Sequence, residues 1–150
     1  MRLIFPFIAL SLLGCRPDSN PPVTQEIQWV DAETEALARR ACYDCHSNET
    51  EWKAMHALPF IKGWVTGHVL DGRCALNFSE WDQPQPLATH ATGDIMSGRM
   101  PLEAYVKHRK QGRLTLEERI TLAEGLARTM ANDPPPSGGL KCSPYADTGL

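Results

Sequence analysis

Five consecutive residues, Cys42-Tyr43-Asp44-Cys45-His46, constrain this chain more than any other feature of its sequence. The spacing C-x-x-C-H is the attachment signature of c-type haem, in which two thiols add across the two vinyl groups of one porphyrin. The histidine beside the second cysteine then lies under the iron and offers an imidazole nitrogen as an axial ligand. The motif predicts one covalently bound haem c, attached at Cys42 and Cys45, with His46 as the proximal ligand.

Other chemistries also use paired cysteines, and each of them needs a second feature. A thioredoxin-like redox pair lies in a βαβ pattern, and no such pattern surrounds Cys42. A structural zinc site needs two further ligands, but the chain has no second C-x-x-C and no H-x-x-x-H. A disulfide between Cys42 and Cys45 is a further alternative, and it would give His46 no role.

The N-terminal segment predicts export. Met1-Arg2 is followed by an apolar run from Leu3 to Leu13. As a helix this run would rise only about 16 Å, roughly half of a hydrocarbon core, which is typical of a signal peptide. It ends in Leu12-Leu13-Gly14-Cys15, which resembles a bacterial lipobox. We therefore expect residues 1–14 to be removed and Cys15 to carry a lipid; a plain secretory signal is the alternative.

The segment that follows predicts a tether. Residues 15–28 are rich in Pro, Asp, Ser and Asn and have no helical or strand period, so we expect them to be flexible. Arg16 follows the cysteine, whereas lipoproteins kept in the inner membrane usually carry Asp there. The expected location is the periplasmic side of a bacterial membrane, with a lean towards the outer membrane.

Helical periodicity dominates the rest of the chain and strand signals are nearly absent, which predicts an all-α domain over residues 29–132. Residues 133–150 are expected to form an irregular tail. Gly125, inside the last helix, is expected to permit a close crossing with the first helix. The expected helices are about 31–46 (capped by Asp31), about 60–71 (ended by Gly72), about 102–111 (ended by Gly112), and one opened by the capping box Thr115-x-x-Glu118.

Three segments, in order, resemble one known family. They read ACYDCHSNETEW from Ala41, GWVTGHVLDGRCALNFSEW from Gly63 and DIMSGRMPLEAY from Asp94. They are similar to the haem-binding domain family of small bacterial c-type cytochromes, which share CYDCHSNET, GR-x-x-LNFS-x-W and G-x-MP-x-x-Y. The resemblance covers about residues 30–131. It implies a small cytochrome c-like helical domain wrapped around one haem.

An electron carrier needs a sixth ligand opposite His46, and Met100 is the preferred candidate. It precedes Pro101 on a loop before a helix, and the pair resembles the Met-Pro of many cytochromes c. A thioether is a soft ligand that favours Fe(II) and raises the potential. Met96 and His68 are the alternatives. The remaining histidines have no special claim: His56, His90 and His108.

Aromatic and basic residues between these motifs are further candidates for contact with the haem. The aromatic residues expected to wall the porphyrin are Trp52, Phe60, Trp64, Phe78 and Trp81. The two arginines that could pair with the haem propionates are Arg73 and Arg99.

Two cysteines remain, Cys74 and Cys142. An even pair in an oxidising compartment favours a disulfide, which would attach the tail to the domain. Two free thiols or an intermolecular bridge are the alternatives.

Together these features predict a membrane-tethered electron carrier and no enzyme, with redox proteins as transient docking partners. The alternatives are a haem-based peroxidase or small-gas sensor with a labile or absent sixth ligand, or a haem subunit of a larger respiratory complex. A net charge of −3 without a basic cluster argues against nucleic acid as a partner.

Overall fold

The computed structural model describes residues 20–53, 56, 58–139 and 142. The fold is all-α, as predicted: within these ranges the regular structure is helical, apart from one parallel bridge between Gln25 and Glu80. The α-helices are α1 (Ala32–Ala41), α2 (Tyr43–His46), α3 (Pro59–Ala75), α4 (Ala91–Ser97), α5 (Glu103–His108) and α6 (Leu116–Asn132), with 3₁₀ turns at Ala88–His90 and Lys110–Gly112.

The helix bounds differ from the prediction in three places. The first predicted helix is two, because the chain leaves helical geometry at Cys42, between α1 and α2. The second continues past Gly72 to Ala75. The third ends at His108, and α4, which no sequence signal predicted, precedes it.

The caps predicted for α1 and α6 are confirmed. The Asp31 carboxylate accepts a hydrogen bond from the Thr34 N–H at 2.7 Å. At the start of α6, Thr115 and Glu118 exchange both hydrogen bonds of a capping box. Local side-chain chemistry fixes both helix starts, since each cap satisfies backbone donors that the first turn leaves free.

α1 and α6 cross where Gly125 meets Thr34. A Cβ on Gly125 would lie 2.0 Å from the Thr34 hydroxyl oxygen, so only glycine permits this approach. The predicted crossing is confirmed. The buried core lies beneath it, and its largest members include Leu37, Tyr43, Phe78, Trp81, Leu122 and Leu126.

The expectation of a flexible tether is wrong for residues 20–28, which lie against the domain. Ile27 is only 2% exposed and donates its N–H to the Phe78 carbonyl at 3.0 Å. The Trp81 N–H donates to the Gln25 carbonyl at 2.9 Å. The segment is ordered because its backbone groups bond to the 78–81 loop and its isoleucine is buried.

The ends of the chain differ in how far the structure describes them. The expected signal peptide and lipidated Cys15 lie outside the described residues. Among the residues that the structure describes, no helix is long and apolar enough to cross a membrane. At the other end, Cys74 and Cys142 form a disulfide with their Cα atoms 5.7 Å apart, which ties the tail to the end of α3.

Candidate functional site

The CYDCH segment is held against α3 by a close backbone approach. A Cβ on Gly72 would lie 2.4 Å from the Cys45 carbonyl oxygen. Gly72 was predicted to end the helix, but α3 continues to Ala75. The glycine instead lets α3 pack directly on α2. Sequence alone did not reveal this role, because a glycine near a helix end also reads as a C-cap.

His46 has the orientation and protonation state of a metal ligand. Its Nδ1 lies 3.1 Å from the Leu76 carbonyl oxygen, so Nδ1 carries the proton and donates it. Nε2 is left with a free lone pair, and such a second bond typically orients a ligating histidine. Burial lowers the pKa of His46, which keeps the imidazole neutral.

The two motif cysteines are free thiols in the structure. Burial raises the pKa of the Cys42 thiol to about 12. Burial, reinforced by the Asp44 charge, raises the pKa of the Cys45 thiol to about 11. Both sulfurs are therefore protonated at neutral pH. They are also unbonded, as an addition to a vinyl group requires. Over the described ranges, no group of three or more His, Cys, Asp or Glu residues could hold a metal ion.

A cavity of about 230 Å³, here called the axial cavity, brings the predicted ligands together. Cys42, His46 and Met100 all line it. His90, to which the sequence analysis gave no role, lines it as well. The walls are otherwise largely apolar and come from α1, α4, α6 and the loop after α3: Ala38, Ala41, Leu76, Phe78, Ile95, Leu122 and Leu126.

A second cavity of about 290 Å³, here called the Cys45 cavity, is also lined by residues of the motif. Cys45 lines it, together with Trp64 and Tyr105. Its apolar walls come from α3 and the start of α5, and include Ile61, Val65, Val69 and Leu102; the histidines at its lining are His56, His68 and His108. A group bonded to both motif cysteines must therefore reach both cavities.

The loop after the motif is joined to the loop after α3 by buried amides and hydroxyls. The Asn48 N–H donates to the Ser79 hydroxyl at 3.0 Å, and the Asn77 amide donates to Asn48 Oδ1 at 2.9 Å. The Phe78 N–H donates to the His46 carbonyl at 2.9 Å. Buried neutral groups whose hydrogen bonds are all satisfied favour a single arrangement. These bonds therefore fix the position of the His46 ring relative to the Leu76 carbonyl.

Several residues predicted to contact the haem have other partners. Trp81 lies in the core and donates to the Asp133 carbonyl at 2.8 Å, and it lines neither cavity. Trp52 also lines neither cavity and donates to Asn20 Oδ1 at 3.0 Å. Phe78 and Trp64, by contrast, each line one cavity. The side chain of Phe60 lies outside the described part of the structure.

The two arginines assigned to the propionates are engaged within the protein. Arg73 donates to the Ser47 carbonyl at 2.8 Å and to the Thr50 hydroxyl at 2.8 Å, so it braces the loop after the motif. Arg99 forms an ion pair with Asp94. Neither lines either of the two cavities.

The alternatives for the sixth ligand are now separated by position. Met96 is 47% exposed and lines neither cavity. His68 lines the Cys45 cavity, away from His46, and its Nδ1 lies 2.9 Å from the Trp64 carbonyl oxygen. Of the predicted candidates, only Met100 shares a cavity with His46.

A helical domain with a neutral buried imidazole, two free thiols and apolar cavity walls has the donor set and surroundings that suit a haem. The sequence matches the haem-binding domain family over residues 7–128, and the chain belongs to this family. No curated protein matches the chain. No solved structure matches it either.

Proposed function

We propose that the protein is a mono-haem c-type cytochrome lipoprotein that transfers electrons with His46 and Met100 as axial ligands. One observation carries the proposal: His46, with its Nδ1 already bonded to Leu76, shares an apolar cavity with Cys42 and Met100. A haem c bound there would supply an iron that accepts and releases one electron.

The chain's own residues would set how readily that electron moves. The Leu76 carbonyl holds the His46 ring and increases its basicity by accepting the Nδ1–H. The Met100 thioether favours the reduced state and so raises the potential. The apolar walls of the axial cavity exclude water, which disfavours the more charged oxidised state.

A carrier rather than an enzyme is proposed because a histidine and a methionine would fill both axial positions. Redox proteins would dock transiently, through a small interface suited to rapid exchange. A lipid on Cys15 would hold the domain at the periplasmic side of a bacterial membrane and raise its local concentration near membrane partners.

Covalent attachment is tested first. The mature domain is produced with a c-type maturation system and extracted with acidified acetone. We expect the haem to stay with the polypeptide in the wild-type protein and to be released from a Cys42→Ser, Cys45→Ser double variant. Release from the wild-type protein would contradict the c-type assignment while leaving haem binding intact.

Axial ligation is tested by absorption spectroscopy of the oxidised protein. We expect a low-spin spectrum with the long-wavelength band of sulfur-to-iron charge transfer. Met100→Ala should abolish that band. The matched control, Met96→Ala, should keep it, because Met96 lies outside the cavity. A band that survives Met100→Ala would overturn the assignment.

A second candidate function rests on His90. A peroxidase needs an acid–base group on the ligand side of the haem, and His90 lines the axial cavity with Met100. If Met100 leaves the sixth position open, His90 can hold and transfer a proton beside a small ligand. Rapid carbon monoxide binding to the reduced wild-type protein, together with peroxide turnover lost in His90→Gln, would favour this function over the carrier.

A further inference from the structure

The middle residue of the attachment motif is bonded to the helix that follows the methionine. The Tyr105 hydroxyl donates to Asp44 Oδ2 at 2.9 Å, and Arg109 pairs with the same oxygen at 2.9 Å. The Asp44 and Arg109 side chains are only 17% and 18% exposed. Charged hydrogen bonds in such a site are stronger than those on an open surface.

The other groups of Asp44 are also engaged. Its Oδ1 accepts the Glu51 N–H at 3.0 Å, and its carbonyl accepts the Thr50 hydroxyl at 2.9 Å. Arg109 also pairs with Glu51. One residue between the two cysteines thus joins three pieces of the chain: α2, the loop after it and α5. We call the Asp44–Tyr105–Arg109 contacts the α2–α5 clamp.

The ring of Tyr105 is fixed from behind. A Cβ on Gly112 would lie 2.7 Å from its Cε1, so the 3₁₀ turn packs directly on the ring. Tyr105 itself lies on the first turn of α5, shortly after Met100-Pro101. Because α5 begins three residues after Met100, the position of α5 limits where Met100 can lie.

Arg99-Met100-Pro101, here called the methionine segment, is held by a backbone hydrogen bond and an exposed ion pair, both to Asp94. The Met100 N–H donates to the Asp94 carbonyl at 3.0 Å. Arg99 pairs with the Asp94 side chain, but it is 74% exposed. An exposed pair contributes little, since solvent screens it. The α2–α5 clamp bonds the methionine side directly to the CYDCH segment.

We propose that the α2–α5 clamp positions Met100 opposite His46, with Asp44, Tyr105 and Arg109 as positioning residues. This inference rests on the proposed function, because it concerns the sixth ligand of the same site. Loosening the clamp frees α5, and the methionine then leaves the sixth position for part of the time.

The test removes one hydroxyl on α5. The control breaks an exposed ion pair made by another residue of the same helix, Glu103. Tyr105→Phe keeps the ring against Gly112 and loses only the hydrogen bond to Asp44. The control, Arg113→Gln, breaks the Arg113–Glu103 pair, whose side chains are 58% and 64% exposed. The readouts are the sulfur-to-iron band of the oxidised protein and the rate of carbon monoxide binding to the reduced protein.

We expect Tyr105→Phe to weaken the band and to speed carbon monoxide binding by about tenfold to a hundredfold, the factor for losing one hydrogen bond to a charged group. Arg113→Gln should match the wild-type protein in both readouts. An unchanged band and rate in Tyr105→Phe, or equal changes in the control, would overturn the clamp. A wild-type protein without the band would instead contradict the proposed ligation.

Discussion

The two sides of the CYDCH segment are held in different ways. On the proximal side, the 76–79 loop is buried throughout and bonds to His46 and Asn48 through backbone and neutral side-chain groups. On the methionine side, Met100 is half-buried, and the Asp44–Tyr105–Arg109 contacts join its helix to the motif. His46 is thus bonded directly to a buried loop, whereas a small charged cluster joins the helix after Met100 to the motif.

Because of this difference, substitutions on the two sides should affect different properties of the protein. A change on the proximal side disturbs buried groups that have no access to water, so it costs stability directly. Under the proposed ligation, a change on the methionine side should alter how often Met100 occupies the sixth position. Stability and axial ligation should therefore respond to different substitutions in this protein.

The largest effect is expected from Phe78→Ala on the proximal side. Phe78 is 1% exposed and stacks on Tyr43 with ring centroids 5.5 Å apart. Its loss should reduce the free energy of unfolding by about 3–5 kcal/mol. Leu102→Ala, at a half-buried residue on the methionine side, should cost less than about 2 kcal/mol. Urea unfolding followed by circular dichroism measures both, and equal losses would contradict the contrast.

A smaller loss is expected where α3 meets the motif. Gly72→Ala places a Cβ against the Cys45 carbonyl and should destabilise the protein by about 1–3 kcal/mol. Gly67→Ala is the matched control on the same helix, since no heavy atom lies within 4 Å of its added Cβ. This control should be neutral or stabilising by up to about 1 kcal/mol. Thermal unfolding of the two variants tests the close approach, and a stabilised Gly72→Ala would refute it.

The smallest effect is expected from the pH dependence of a carboxylate contact on the methionine side. Hydrogen bonding to Arg109 lowers the pKa of Glu51 below its ordinary value of 4.5. The Glu51–Arg109 contact therefore stabilises the fold above about pH 4.5 and is lost as the pH falls through the lowered pKa. We expect the Tm of Glu51→Gln to fall less than that of the wild-type protein between about pH 5 and pH 3, because a glutamate carboxyl titrates in this range. Parallel curves would show that the contact contributes nothing.

Local signals in the sequence predicted the parts of the fold that local chemistry fixes. Asp31 and the Thr115–Glu118 box start their helices through side-chain caps, and both were predicted. The break at Cys42 was not, because no Gly or Pro lies near it to mark a break and tertiary packing decides. The ordering of residues 20–28 was missed for a similar reason: their backbone hydrogen-bond partners on the 78–81 loop lie more than fifty residues away.

The site divides in the same way. The motif spacing predicted Cys42, Cys45 and His46 as haem-binding residues, and the Met-Pro pair pointed to Met100. The structure brings Cys42, His46 and Met100 to one cavity. His90 is an exposed residue at the end of a 3₁₀ turn and has no distinguishing spacing, so the sequence did not indicate that it lines the axial cavity. Arg73 was predicted as a candidate partner of a propionate. In the structure it donates to the Ser47 carbonyl, a partner that the sequence alone does not indicate.

The central claim is that Met100 is the sixth ligand opposite His46, and proton NMR of the reduced protein tests it most directly. The ring current of a porphyrin shifts the methyl group of a ligating methionine far upfield of all other protein signals. We predict one such three-proton signal, present in the wild-type and Met96→Ala proteins and absent from Met100→Ala. A wild-type spectrum without that signal, or one that Met100→Ala leaves unchanged, would contradict the account.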